Sequence, residues 1–221
     1  MITVAIPTIQ NNMPQLHELY PFLASNRDLV ELVVVRDLKS AARNRNRCLD
    51  RSSGDIMVMM DDDVFGFFPG WIDMLVSPLI DQPEKFSIIS ARFSSTKKRR
   101  RGKPGSRFSS MLGDGGVRGP RGTMQVALHR EGSPVQMVCS ACIAFRVSDG
   151  VRFDEGYDGA VFEDSDFCMQ MRRKFPNRDI VINNKCVLEH RCEHKRHWEI
   201  KGGSVRGNQS RFEEKWKGVV L

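Results

Sequence analysis

Three consecutive carboxylates, Asp61, Asp62 and Asp63, close the apolar run Ile56-Met57-Val58-Met59-Met60. In an extended chain alternate side chains share a face, so Asp61 and Asp63 point one way and Asp62 the other. Two carboxylates on one face repel each other unless a cation sits between them, and a hard divalent ion such as Mg²⁺ or Mn²⁺ suits oxygen donors of this kind. A second acid group, Glu163-Asp164-Ser165-Asp166, precedes Phe167, Met171 and Phe175, which recur every fourth residue. A helix therefore starts near Glu163, with its acids in the first turn, where the macrodipole favours negative charge. Cys186, His190, Cys192, His194 and His197 crowd together further on, but their spacings match no zinc-finger pattern.

The elements that must hold these groups follow a simple alternation. Residues 2–6 form an apolar strand closed by Pro7-Thr8, and residues 14–24 carry Leu16, Leu19, Tyr20 and Leu23 at helical spacing. Residues 29–35 are a second, almost unbroken apolar strand, as in a sheet covered on both faces. Ser40 can cap a helix reaching about residue 51, and residues 55–60 are a third strand. Strand–helix–strand–helix–strand is the pattern of a Rossmann-like half, and the carboxyl ends of such strands open onto the ligand crevice. The spacing predicts a helix over 71–80, a strand over 86–91, further strands over 124–129 and 135–145, and a last strand over 180–187. The Cys139-Ser140-Ala141-Cys142 segment reads as buried packing thiols.

At 221 residues the chain fits one domain with a substantial core. We read it as a first half (1–92), a basic glycine-rich loop (93–122), a second half (123–195) and a tail (196–221). The net charge of +7 is not evenly spread. Lys97, Lys98, Arg99, Arg100, Arg101, Lys103 and Arg107 lie in eleven residues without an acid, and without them the chain would be neutral. Such a block favours a polyanionic partner: DNA or RNA, a phosphorylated glycan, or an anionic membrane surface. No apolar run approaches membrane-spanning length, the N-terminus lacks the form of a signal peptide, and the scattered cysteines suit free thiols. A cytoplasmic enzyme is expected.

Taken in order, Thr3-Val4-Ala5-Ile6-Pro7-Thr8, Ala42-Arg43-Asn44, Met60-Asp61-Asp62-Asp63, Arg152-Phe153-Asp154-Glu155 and Phe162-Glu163-Asp164-Ser165-Asp166 resemble the motifs of the family 2 glycosyltransferases, the inverting enzymes of the α/β GT-A fold. The resemblance implies a mostly parallel sheet flanked by helices and a nucleotide-sugar donor, UDP-sugars being commonest. It implies that Asp61 and Asp63 form the DXD element, with Asp63 the metal contact and Asp61 nearer the ribose or the metal shell, and Asp62 beside the donor. Asp164 becomes the general base, with Glu163 next to it. Pro7, Thr8 and Arg43 approach the donor, and His190, with His194 as the alternative, completes the shell of Mn²⁺ or Mg²⁺. The family often carries Asp-Asp or Asp-Gly after the second strand. Here the chain reads Val35-Arg36-Asp37-Leu38, so Asp37 stands in for the base contact and the nucleotide is left open. The acceptor hydroxyl could belong to a glycan or to a hydroxylated base in DNA. The rival readings are a nucleic-acid-binding module with an inert acidic pocket and a nucleotidyltransferase, which also holds metal at a strand end.

Overall fold

The computed structural model describes residues 1–10, 13–24, 28–36, 40–94, 134–191 and 205–219. Seven strands form one sheet: β1 (Ile2–Thr8), β2 (Val30–Arg36), β3 (Ile56–Met60), β4 (Val64–Phe65), β5 (Phe86–Ser94), β6 (Cys142–Arg146) and β7 (Asp179–His190). Their order across the sheet is β2-β1-β3-β6-β5-β7-β4, and all but β6 and β4 run the same way. The helices are α1 (Gln15–Ala24), α2 (Ala41–Arg51), α3 (Trp71–Asp81), α4 (Glu163–Lys174) and α5 (Val205–Lys215).

Strand alternation sorts the core into two layers. Val4, Ile6, Val58 and Met60 face one side and pack with Leu19 and Leu23 of α1 and Trp71, Leu75 and Leu79 of α3. Ala5, Met57 and Met59 face the other and pack with Ala42 and Cys48 of α2, Phe167 and Met171 of α4, and Phe212 of α5. A strand covered on both faces has no polar side, which is why β3 reads as five apolar residues and is buried at every position.

The structure extends several strands beyond their expected ends and shortens one. The strand expected over 135–145 is formed only over Cys142–Arg146. Its partner β3 is five residues long, and the ladder stops at Met60↔Cys142. Beyond it the Asp61 N–H donates to the Ala141 carbonyl at 2.9 Å while the chain turns away, and Val135, Met137 and Val138 fill the second core layer from irregular backbone. Cys142 is buried as expected, Cys139 only partly so, and the five described cysteines are free. The strand expected over 124–129 lies outside the described residues.

β1 joins β2 on one side and β3 on the other, so the strand order reverses at β1 and the chain has a switch point at its carboxyl edge. Pairing of β1 with β2 runs to Thr8↔Arg36, whereas pairing with β3 ends at Ala5↔Met59. The two strands part there, and the acidic triplet begins at the parting.

Candidate active site

The acids alternate as an extended chain requires. Asp62 turns toward β1 and accepts a hydrogen bond from the Thr8 hydroxyl, which in turn accepts one from the Gln10 N–H at 2.9 Å. Thr8 is buried, and its carbonyl takes the Asn44 side-chain amide at 3.4 Å. Pro7 is buried within β1. Asp61 and Asp63 turn the other way, toward His190. The His190 Nε2 lies 2.9 Å from Asp63 Oδ1 and 4.0 Å from Asp61 Oδ2.

His190 arrives there through a two-residue strand that sequence patterning does not reveal. Immediately after Asp63 the chain forms β4, which pairs antiparallel with the end of β7, Val64 opposite His190 and Phe65 opposite Glu189. The Arg191 N–H closes the ribbon on the Asp63 carbonyl at 3.1 Å. Gly66 then turns the chain with φ +78°, while Glu18 of α1 accepts from the N–H groups of Gly66 (2.6 Å) and Phe67 (3.1 Å). β7 thus runs three residues further than expected and ends at His190 itself. His194, Asp37, the basic residues Lys97, Lys98, Arg99, Arg100, Arg101, Lys103 and Arg107, and Cys192 and His197 lie outside the described residues. Cys186 sits in the core, its thiol against the Trp71 carbonyl.

One donor atom from each of Asp61, Asp63 and His190 lies within 4.8 Å of the other two. Separations of 2.9 and 4.0 Å leave these side chains close enough that they could share one divalent cation. Two carboxylates and an imidazole form a donor set that suits Mn²⁺ in particular, since imidazole is a borderline ligand and carboxylate a hard one.

The second acid group lies at the head of α4. Its Ncap residue, Phe162, has φ +75°, the one positive value at a non-glycine position among the described residues. Glu163 is buried and Asp164 is half-buried, its Oδ1 accepting from the Ser165 N–H at 2.7 Å. Between the two groups stands Arg45, which sequence reasoning passed over. Its Nη2 reaches Asp61 Oδ1 at 2.9 Å and its Nη1 reaches Glu163 Oε1 at 2.7 Å. Burial by itself would lower the Arg45 pKa, but Asp61, Glu163 and Asp164 outweigh it and raise the value above the ordinary one. Burial pushes the Glu163 carboxyl up; Arg45 opposes that and Asp164 adds to it.

Arg43, the expected donor contact, lies elsewhere on the same helix. It lines a cavity of about 250 Å³ with Ser40, Glu155, Gly156, Tyr157 and Asp158, none of them from the Asp61–Asp63–His190 cluster. At 100° per residue, two steps along a helix turn a side chain away, so Arg43 and Arg45 cannot share a face. The spacing Ala42, Arg45, Leu49 marks Arg45 as inward-facing, and that signal was legible beforehand.

A sheet with acids at the carboxyl edge beside its switch point, and a second acid pair at a facing helix head, is an open α/β fold with its ligand crevice at that edge. Residues 11–149 match the model of glycosyl transferase family 2, and the chain belongs to that family. The fold is GT-A. Similar solved structures include glucosyl-3-phosphoglycerate synthase from Mycobacterium tuberculosis with phosphoglyceric acid (14% identity, 96% of this chain and 80% of that one, TM-score 0.62). The same enzyme with Mn²⁺, UDP and phosphoglyceric acid matches at 14% identity, over 100% of this chain and 79% of that one, with a TM-score of 0.61. Mannosyl-3-phosphoglycerate synthase from Rubrobacter xylanophilus matches at 11% identity over 100% and 76%, also at 0.61. At these identities the likeness is one of fold. No curated protein sequence matches the chain.

Proposed function

We propose that this glycosyltransferase moves a sugar from a nucleoside-diphosphate sugar, a UDP-sugar first among them, to an acceptor hydroxyl with inversion at the anomeric carbon. The observation that carries the reading is the Asp61–Asp63–His190 cluster at the tip of β3, tied through Arg45 to Glu163 and Asp164 at the head of α4. The solved M. tuberculosis relative that holds Mn²⁺ and UDP together supports the choice of donor and ion.

Asp61, Asp63 and His190 would hold the cation, which supplies positive charge where the departing diphosphate becomes negative. Thr8 and Asp62 sit at the parting of β1 and β3, where the donor's nucleoside end would lie. Asp164 accepts the proton of the attacking hydroxyl. Attack from the side opposite the leaving group inverts the centre.

The seven cations of residues 97–107 favour an anionic acceptor, whether a phosphorylated glycan or nucleic acid. No helix among the described residues is long and apolar enough to cross a membrane, and we place the enzyme in the cytoplasm.

A panel of nucleotide sugars incubated with and without Mn²⁺ tests the assignment. Release of nucleoside diphosphate that needs Mn²⁺ and is lost in Asp63→Ala is the expected result. Pyrophosphate as the product would instead mean nucleotidyl transfer. Duplex DNA binding indifferent to metal and to Asp63→Ala, with no diphosphate released, would leave only a binding module.

A further inference from the structure

Arg45 touches both acid groups, Asp61 with one arm of its guanidinium and Glu163 with the other. We propose that Arg45 is a positioning residue that sets the distance between the carboxylate at the tip of β3 and the acids at the head of α4, an inference that rests on the function proposed above.

The main chain of Asp61 is already pinned on both sides. Its N–H donates to the Ala141 carbonyl at 2.9 Å, and its carbonyl accepts from the Gln15 side-chain amide at 2.9 Å, Gln15 being fully buried. What remains free is rotation of the carboxylate, and Arg45 removes that freedom by taking Oδ1. Oδ2 is then the atom turned toward His190. The other arm of the same guanidinium takes Glu163 Oε1, in the first turn of α4. Holding Glu163 also holds Asp164, since both follow directly from the left-handed Phe162.

The guanidinium has a rigid seat. It lies 5.5 Å from the centroid of the Phe153 ring, which stacks on Phe167 of α4 with centroids 4.2 Å apart and planes 9° from parallel. Any shift of α4 against α2 therefore moves the arginine's support as well as one of its partners. A planar fork can bind two carboxylates along two fixed directions, whereas a lysine ammonium is a point charge on a flexible stem. Arg45 is only 4% exposed. Replacing it by Lys keeps the charge and gives up the geometry.

The plain alternative is an ion pair that serves stability alone. Arg45→Lys separates the two, read by melting temperature, by calorimetric affinity for Mn²⁺ with UDP, and by kcat and KM for diphosphate release. Positioning predicts a folded variant whose Mn²⁺–UDP affinity falls by about 10-fold, because Arg45 stands behind Asp61, while kcat at saturating Mn²⁺ and donor falls by about 100-fold, the scale of a misplacement near 1 Å. It also predicts that adding Glu163→Gln to Arg45→Lys costs much less than Glu163→Gln costs in the wild type, because the link is already broken. A folded Arg45→Lys with kcat within about threefold of wild type overturns the proposal. So does a kcat that recovers once Mn²⁺ and donor are saturating, since only metal binding was then lost, or independent effects in the double variant. Arg45→Gln, neutral and able to serve one carboxylate, is read in the same way if the lysine variant does not fold. A wild-type protein that neither binds Mn²⁺ with UDP nor releases diphosphate removes the proposed function itself, and this inference with it.

Discussion

Asp63 contributes an oxygen 2.9 Å from His190, and its neighbour in the triplet, Asp62, is committed to Thr8. The two acids are chemically alike and one residue apart, so substituting each separates their roles. Asp63→Ala should weaken Mn²⁺ binding by at least about 100-fold, since loss of partners merely standing behind metal ligands already costs roughly 10- to 100-fold. Calorimetry or Mn²⁺ paramagnetic resonance reads it directly. Thr8→Val removes one hydrogen bond from a buried carboxylate while keeping the shape, and should destabilise the fold by about 1–3 kcal/mol with Mn²⁺ affinity retained. Denaturant unfolding alongside the metal titration would show whether Asp62 belongs to the scaffold or to the shell.

At the scale of elements, α2 is the part that places Arg45, and its start is well defined. Ser40 is the Ncap, with its hydroxyl accepting from the Arg43 N–H at 3.1 Å, and Ala41 N–H reaches the Gly159 carbonyl at 2.8 Å. Ser40→Ala should cost about 1 kcal/mol of stability, seen as a lower melting temperature with diphosphate release nearly intact. The start of β3 is less forgiving. A Cβ added at Gly54 would lie 2.7 Å from the backbone nitrogen of Thr3 and 2.6 Å from its hydroxyl, and that backbone belongs to β1. Gly54→Ala should therefore force β1 and β3 apart at the cost of about 1–3 kcal/mol, and a denaturation midpoint well below that of Ser40→Ala would show it.

Across the whole molecule, α5 is fastened to α4 and its preceding loop by charge. Lys215 reaches Asp154 at 2.7 Å and Asp166 at 2.9 Å, Arg211 reaches Asp154 at 3.1 Å, and the Trp216 indole N–H donates to buried Asp166 at 2.8 Å. Partial burial would raise the Asp154 carboxyl, but Lys215, the Gly156 N–H and Arg211 outweigh it and hold it at about 2, below its ordinary 3.8. A carboxylate lowered by folding contributes stability that is whole above about pH 4 and is lost as pH falls toward 2. Hydrogen-exchange protection across residues 205–215, taken relative to the intrinsic rate at each pH, should thus fall over that window, and Asp154→Asn should already show lower protection at neutral pH.

Much of this was legible in the residues. Unbroken apolar strands require a sheet covered on both faces, and alternation sends Asp61 and Asp63 one way and Asp62 the other, because both follow from local backbone geometry. The capping of α2 by Ser40 and the start of α4 at Glu163 are local too. What only the tertiary structure decided is which distant groups meet. The two-residue β4 carries no periodic signal, yet its pairing with β7 brings His190 to Asp63 across 127 positions of chain. The spacing of Ala42, Arg45 and Leu49 turns Arg45 inward, but only packing brings Asp61 and Glu163, 102 positions apart, onto its two arms. Strand and helix are set by neighbours a few residues apart, whereas an ion pair between buried groups exists only once the core has excluded water around both.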